Sequence, residues 1–442
     1  MDFLAVLNEI DNFIWGPPLL VLLVGTGILL TIRLHLLQIF KLPKALSLIF
    51  RAQNAGSGDI DSFKALCTAL SATVGTGNIV GVATAIHAGG PGALFWMWMA
   101  AFFKYRETDE KGEIAGGPMY YIKNGMGEKY KWLGGLFAFF GVLVAYFGIG
   151  TFAQVNSIVD ITKMTIGLDP VWTGAILTIF VAAITIGGLQ SIAAAASRIV
   201  PAMAFIYFLS TIGVLLVFAD KVPAAVSMIF ESAFTTTAAT GGFLGATVMM
   251  AMRNGVARGV FSNESGLGSA PIVAAAAKTK WPAEQGLISM TGTFIDTIII
   301  CTLTGLTLVV TGVWCGMENG AALTNAAFTS AFPVFGGYML LIGLVLFAFT
   351  TILGWNYYGE RCMIYLVGTK GVLPYRLVFI LLVASGAFLK LEAIWILADI
   401  VNGLMAIPNL IALIFLSGIC VRETKKYMDH LKTGKSYEEY ED

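Results

Sequence analysis

The sequence predicts an all-α, polytopic membrane protein with eleven membrane-crossing helices. Three observations carry that expectation. Of 442 residues, 57% are apolar and 12% charged, about half the charge that a water-facing surface requires. Apolar stretches long enough to cross a hydrocarbon core, about 20 residues each, recur from one end of the chain to the other. The basic residues fall into alternate gaps between those stretches, the asymmetry that cytoplasmic loops show.

In chain order the spans are read at 13–32, 62–88, 91–103, 132–158, 170–189, 193–219, 223–252, 284–312, 336–359, 374–389 and 393–420. The first follows MDFLAVLNEIDNF, which is acidic and has no basic lead-in, so it is expected to stay in the mature protein rather than be cleaved as a signal peptide. The third is too short: from Gly92 the apolar run ends at Phe103 and meets Lys104 and Arg106, a reach of about 18 Å at 1.5 Å per residue. Either Lys104 and Tyr105 snorkel, or residues are missing at the Phe103–Lys104 junction, the preferred reading. With the N-terminus outside and the C-terminus cytoplasmic, cytoplasmic segments hold 24 of the 27 Lys and Arg, leaving Lys163, Lys221 and Lys390 outside. The tail KTGKSYEEYED reads as solvated or disordered.

Composition also excludes function classes. Lys+Arg and Asp+Glu are equal at 27 each, which removes an electrostatic reason to expect nucleic acid. Five separated cysteines without a CxxC spacing read as packing residues, and three scattered histidines, His35, His87 and His430, leave a metallohydrolase centre nothing to build from. No Ser or Cys stands in a motif with a base, so an enzyme is not expected.

Two spans carry interruptions. The second reads ALSATVGTGNIVGVATAIHAGG, with Gly75, Gly77 and Gly81 at mid-membrane depth, where each glycine costs about 1 kcal/mol against alanine in a helix. The seventh carries Thr235, Thr236, Thr237 and Thr240, then Gly241, Gly242 and Phe243. With the first span set aside, these two helices open two successive sets of five. Five is odd, so the halves insert with opposite topology. The chain is accordingly divided into 1–60, an extra helix and loop; 61–220 and 221–420, the two repeats; and 421–442, the tail. Paired interrupted helices in inverted halves point to the central site of a secondary transporter. Close helix packing is the competing explanation for such glycines. Freed N–H groups at a half-helix N-terminus suit a carboxylate, and freed carbonyls suit an ammonium or Na⁺. Thr350 and Thr351, adjacent in FAFTTILGWNYY, are candidate hydroxyl ligands, although membrane threonines commonly bond back to their own helix.

The runs GTGN (Gly75 to Asn78), HAGGPGALFWMWMAAFF (His87 to Phe103), AGGPMYYI (Ala115 to Ile122) and RGVFSNESGLGSAPIVAAAA (Arg258 to Ala277) resemble the alanine or glycine:cation symporters, the sodium:alanine symporter family, over essentially the whole chain. That resemblance implies a LeuT-type inverted repeat of five plus five helices preceded by one extra helix, and Na⁺-coupled symport of alanine or glycine into the cell. The family pattern continues after the aromatic run with a Gly and an amphipathic stretch that this chain lacks.

The same resemblance implies the site residues. Val74, Gly75, Gly77 and Asn78 correspond to the unwound first core helix. The carbonyls of Ser71 and Val74 with the hydroxyls of Thr350 and Thr351 would hold Na⁺. The Thr73 carbonyl would take the substrate ammonium, the Gly75 and Gly77 amides its carboxylate, with Thr76 beside them. Asn78 would prop the break open. Thr240, Gly241, Gly242 and Phe243 would close the other side. Trp355, four residues after Thr351 and on the same face, would restrict the pocket to a small side chain, and an ordinary core aromatic is the alternative.

Gln154 is a polar side chain in an apolar span and a candidate substrate contact. Asp296, thirteen residues into a span, is costly unless paired. A second cation site, a proton carrier and a structural partner are all open to it, the last ranked first. Asp399 and Arg198 are expected to pair or snorkel. No organic cofactor is expected. The partners are the small amino acid and the lipid bilayer of the cell membrane, with oligomeric state left open. Proton-coupled symport and an uncoupled channel or facilitator are the rivals.

Overall fold

The computed structural model describes residues 3–51, 58–102, 116–235, 248–388 and 391–440. Among them every regular element is helical apart from one isolated bridge, Ile60 to Ala277. The N-terminal apolar run is two helices, α1 (Phe3–Ile14) and α2 (Pro17–Arg33). The chain turns at Trp15–Gly16, and Pro17, which needs no N–H partner, starts α2. The segment 34–60, expected as a loop, contains α3 (Leu42–Arg51).

The second span is α4 (Ser62–Thr73), one turn of 3₁₀ helix at Thr76–Asn78, and α5 (Val80–Gly89), the two parts bent by 59°. Asp61 caps α4 by accepting the Lys64 amide at 2.8 Å. Then come α6 (Gly92–Phe102) and α7 (Pro118–Met126). The Phe103–Lys104 junction lies outside the described residues.

The fourth span, expected as one helix, is α8 (Lys131–Phe147) and α9 (Phe152–Ile166), parted at Gly148–Thr151. Gly167 ends α9 at φ +68, and Asp169 with Pro170 starts α10 (Pro170–Thr185). Helix α11 (Gly188–Val217) follows.

The seventh span is placed differently from the sequence reading. Helix α12 (Val222–Phe234) ends there, and α13 (Val248–Asn263) is a separate helix. Glycines let α13 lie directly on its neighbours. A Cβ on Gly255 would run into the Ala93 carbonyl, one on Gly259 would come 3.2 Å from Met97 Cα, and Gly89 meets Ala251. Beyond Asn263 the chain turns, makes a short helix at Ala270–Ala274, and reaches Lys278, whose amide donates to the Ile60 carbonyl at 2.8 Å. Residues 248–277 thus run from the end of the bundle marked by Gly90 to the end marked by Ile60. Hydropathy misplaced this segment because it carries Arg253, Asn254 and Arg258.

The eighth span is α14 (Pro282–Thr293), a π-helix at Phe294–Cys301, and α15 (Thr302–Thr311). After α16 (Gly320–Ala331) come α17 (Gly336–Val367), α18 (Val372–Gly386) and α19 (Leu391–Thr433). At 43 residues, α19 is about 65 Å long, twice a hydrocarbon core. Its end carries the tail back onto the bundle: Tyr437 and His430 pack on the Trp281 ring with centroids at 5.0 and 4.4 Å. The tail through Tyr440 is therefore docked rather than loose.

Seven described helices are long and apolar enough to cross a membrane, and the bent α4–α5 pair makes an eighth, whereas α6 and α10 are apolar but shorter. Among the described residues, length and apolarity alone thus account for up to eight of the eleven expected crossings.

Candidate functional site

The break between α4 and α5 is built by its own side chains. Val74 leaves the helix at φ −77, ψ 90, and Gly75 is extended. Asn78 Oδ1 accepts the Gly75 amide at 2.8 Å while the Asn78 amide donates to the Gly75 carbonyl at 3.2 Å, which closes a small ring and holds the break open. The expected prop role of Asn78 agrees with this geometry. The Gly75 amide, expected to face a carboxylate, is therefore occupied by Asn78. A Cβ at Gly75 would collide with Thr351 Oγ1, and one at Gly77 would come 2.8 Å from Ser262 Cα, so both glycines mark where other elements press on the break.

On one side of the break lies a cluster of uncharged oxygens. Thr351 Oγ1 donates to the Phe347 carbonyl at 3.0 Å and stands 3.4 Å from the Val74 carbonyl. Thr350 Oγ1 donates to the same Phe347 carbonyl at 3.0 Å and to Leu346, and lies 3.4 Å from Met203 Sδ. Both threonines bond back to their own helix, and only Thr351 also meets the break. The Ser71 hydroxyl turns away onto the Thr68 carbonyl, and the Thr73 hydroxyl onto Ala69 and Leu70. A hard monovalent cation takes neutral oxygens of this kind, so Val74, Phe347 and Thr351 fit Na⁺.

Close by stands Gln154, two residues into α9, its Oε1 3.3 Å from the same Gly75 Cβ position that Thr351 crowds. Its Oε1 accepts the Thr76 amide at 3.2 Å. Trp355, 1% exposed, packs against Gly150 at the start of the same element. Three buried polar atoms here, Gln154 Nε2, Thr76 Oγ1 and Trp355 Nε1, have no hydrogen-bond partner among the described residues. Buried groups of this kind are seldom left unpaired. All three can donate, and two of them, on Gln154 and Thr76, belong to residues that touch each other, so the place suits an anionic group such as a carboxylate.

A second break faces the first. Between Asn263 and Ala270 the chain is non-helical, with Glu264, Gly266 and Gly268 at φ +56, +78 and +85. Asn263 Oδ1 accepts the Ser265 amide at 2.9 Å, and Asn409 Nδ2 donates to the Gly266 carbonyl at 2.9 Å. Residues 236–247, which hold Thr240, Gly241, Gly242 and Phe243, lie outside the described residues. The signal for the observed break was present in SNESGLGS, between two apolar runs.

Asp296 joins the two breaks. Its Oδ1 accepts Asn78 Nδ2 at 2.7 Å, and its Oδ2 accepts Ser262 Oγ at 3.0 Å and Thr297 Oγ1 at 2.7 Å. Thr297 in turn accepts Asn263 Nδ2 at 3.0 Å. The π-helix, with its wider turns, carries the carboxylate at this junction. Of the roles open to Asp296, this geometry supplies the structural one.

Toward the Gly90 end, Arg258 of α13 pairs with Asp399 of α19 through two contacts of 2.7 and 2.9 Å. The guanidinium lies over the Trp395 ring at 5.2 Å, and Trp15 Nε1 donates to the Asp399 carbonyl at 2.9 Å. The expected pairing of Asp399 is met, by a residue that the sequence reading had put in a loop.

The family profile described as "Sodium:alanine symporter family" matches residues 1–441. An uncharacterized transporter of Haemophilus influenzae is 55% identical, with 98% of each chain covered. The sodium/alanine symporter AgcS of Methanococcus maripaludis is 50% identical, covering 97% of this chain and 98% of that one. Among solved structures, the substrate-bound outward-open state of a Na⁺-coupled sialic acid symporter aligns with a TM-score of 0.47 at 13% identity, over 93% of this chain and 86% of that one.

Proposed function

The chain belongs to the sodium:alanine symporter family, a family of membrane transporters, and from that premise we propose that it is a secondary active symporter in which Na⁺ drives a small neutral amino acid, alanine or glycine, across the cell membrane by alternating access. The observation that carries the reading is the convergence of Thr351 and Gln154 on one backbone break at Val74–Thr76.

In this reading Na⁺ sits among the carbonyls of Ser71, Val74 and Phe347 and the hydroxyls of Thr350 and Thr351. The substrate carboxylate takes the unpaired donors of Thr76, Gln154 and Trp355, with the Gly77 amide close by, and the Thr73 carbonyl receives the ammonium. Because Thr351 and Gln154 reach Val74 and Thr76, two residues apart in one break, each ligand completes a wall of the other's site, and that is a physical route to coupling. Trp355, whose Cβ packs against Gly150, restricts the pocket to a small side chain. Thr240, Gly241, Gly242 and Phe243 are retained as the facing wall.

The proposed architecture is a LeuT-type pair of inverted five-helix halves after one extra helix, eleven crossings in all. The halves remain 61–220 and 221–420, with the first crossing of the second half at 248–277. That placement removes Arg253 and Arg258 from the loops, and 22 of the remaining 25 basic residues still fall on the cytoplasmic side with the N-terminus outside. Asp296 accepts hydrogen bonds from Asn78, Ser262 and Thr297, which supports a structural role for that carboxylate and, with it, Na⁺ rather than proton coupling.

The test is uptake of labelled alanine into proteoliposomes. An inward Na⁺ gradient should be required, and equal uptake with Na⁺ replaced by K⁺ would defeat the proposal.

A further inference from the structure

Asn402 is 1% exposed in the first third of α19, and both its amide oxygen and its amide nitrogen lack a hydrogen-bond partner among the described residues. Its direction follows from its neighbours. On one flank, Val401 touches Gly148 and Met405 touches Gly141, both on the chain that leads to Gln154. On the other, the Trp395 ring lies tilted against Phe261 with centroids at 4.8 Å, Asp399 pairs with Arg258, and Asn409 donates to the Gly266 carbonyl. At 100° per residue, Asn402 lies about 20° from Trp395 and Asn409 and about 60° from Met405. It is therefore aimed at the seam between the 258–268 segment and the end of α8 at Gly141–Gly148, which leads into the Gln154 helix.

Depth follows in the same way. Helices α13 and α19 run in the same direction, since Asp399 meets Arg258 and Asn409 meets Gly266. One turn beyond Asp399, Asn402 falls level with Phe261 and Ser262, and Ser262 is the residue against Gly77. The side chain thus lies at the depth of the first break.

From this we infer that Asn402 is a substrate-contacting residue that reads the carboxylate of the amino acid, its Nδ2 donating alongside Gln154 Nε2. The inference deepens the proposed amino-acid site and rests on it. A buried amide with both atoms unpaired is the group that an incoming polar ligand satisfies. The neighbouring Arg258–Asp399 pair, being mutually neutralised, leaves Asn402 as the neutral donor next below it.

Two variants test it in the full chain. Asn402→Leu keeps the volume and removes both polar atoms. It should raise the KM for alanine uptake about ten- to hundredfold, the range for a hydrogen bond to a charged group. The shift in melting temperature on adding Na⁺ without amino acid should stay at the wild-type value. Asn402→Asp keeps the shape and replaces the donor by a carboxylate. It should cut the preference for alanine over alaninamide, whose amide can donate, at least about tenfold. Should the Leu variant fail to fold, the Asp variant decides. Unchanged KM in both, or an unchanged alanine-to-alaninamide ratio in Asn402→Asp, overturns the assignment. Isothermal titration of alanine into detergent-purified wild type and variants separates the two levels. Weakened binding in the variants beside Na⁺-independent wild-type uptake would remove the symport reading and leave Asn402 in the site.

Discussion

Replacing Thr351 by Val is the sharpest perturbation of the proposed cation site, because it deletes one oxygen and keeps the shape. That hydroxyl stands 3.0 Å from the Phe347 carbonyl and 3.4 Å from the Val74 carbonyl. As the only side-chain hydroxyl in contact with the break from α17, it would supply one direct ligand. Hydrogen bonds and ligation to charged groups contribute about 1.5–3 kcal/mol net, which corresponds to about a ten- to 150-fold rise in the Na⁺ concentration for half-maximal uptake. Folding should be little affected, since the change removes a back-bond within a helix that stays intact. Thr350→Val should do less, because the Thr350 hydroxyl is directed at Leu346, Phe347 and Met203 rather than at the break. The assay is alanine uptake into proteoliposomes across a Na⁺ series, with a melting curve for each variant. A Na⁺ dependence unchanged in Thr351→Val, or a larger shift in Thr350→Val, would refute the assignment.

Gly75→Ala should abolish uptake, because the new methyl would occupy the place of Thr351 Oγ1 at an overpacking cost of about 1–3 kcal/mol; wild-type uptake in that variant would contradict the close approach. Asp296→Asn replaces an oxygen that accepts hydrogen bonds with a group that donates, so it should lower stability by about 1–3 kcal/mol and reduce uptake equally from pH 6 to pH 8; a pH dependence that vanishes in this variant would instead mark a proton carrier. Asp399→Asn leaves Arg258 buried without a charged partner and should destabilise by about 3–5 kcal/mol, whereas Asp399→Leu combined with Arg258→Met should recover much of the loss; additive losses in a double-mutant cycle by chemical denaturation would argue against the pair.

The first break was legible in the sequence because Gly75, Gly77 and Asn78 are out of place in an apolar helix, and its chemistry is local. The break expected at Thr240 to Phe243 lies outside the described residues, while the observed turn at Asn263–Ser269 was passed over because it follows two arginines that read as a loop boundary. Those arginines are tolerated inside the bundle because Arg258 finds Asp399 and Arg253 finds Asp11, partners that sequence separation hides. Gln154, Trp355 and Thr351 stood out as residue types, and the structure brings them to one place. Asn402 did not stand out, since a lone Asn in a 43-residue helix carries no signal until its neighbours give it a direction. The docked tail was missed for a related reason: Tyr437 and Tyr440 look solvent-bound until Trp281 is folded beneath them.

The π-helix at Phe294–Cys301 has a consequence for how its span answers to change. The residues before and after it belong to two separate angular frames: Asp296 is oriented toward Asn78 and Ser262, while Thr302 and Thr304 meet Trp98 and Tyr207 at 2.8 and 2.7 Å. A wheel drawn at uniform pitch through 282–311 would put at least one of these groups on the wrong side. The loose coils act as a swivel, so the outer portion can be reshaped around Tyr207 without turning the carboxylate away from the junction it holds together.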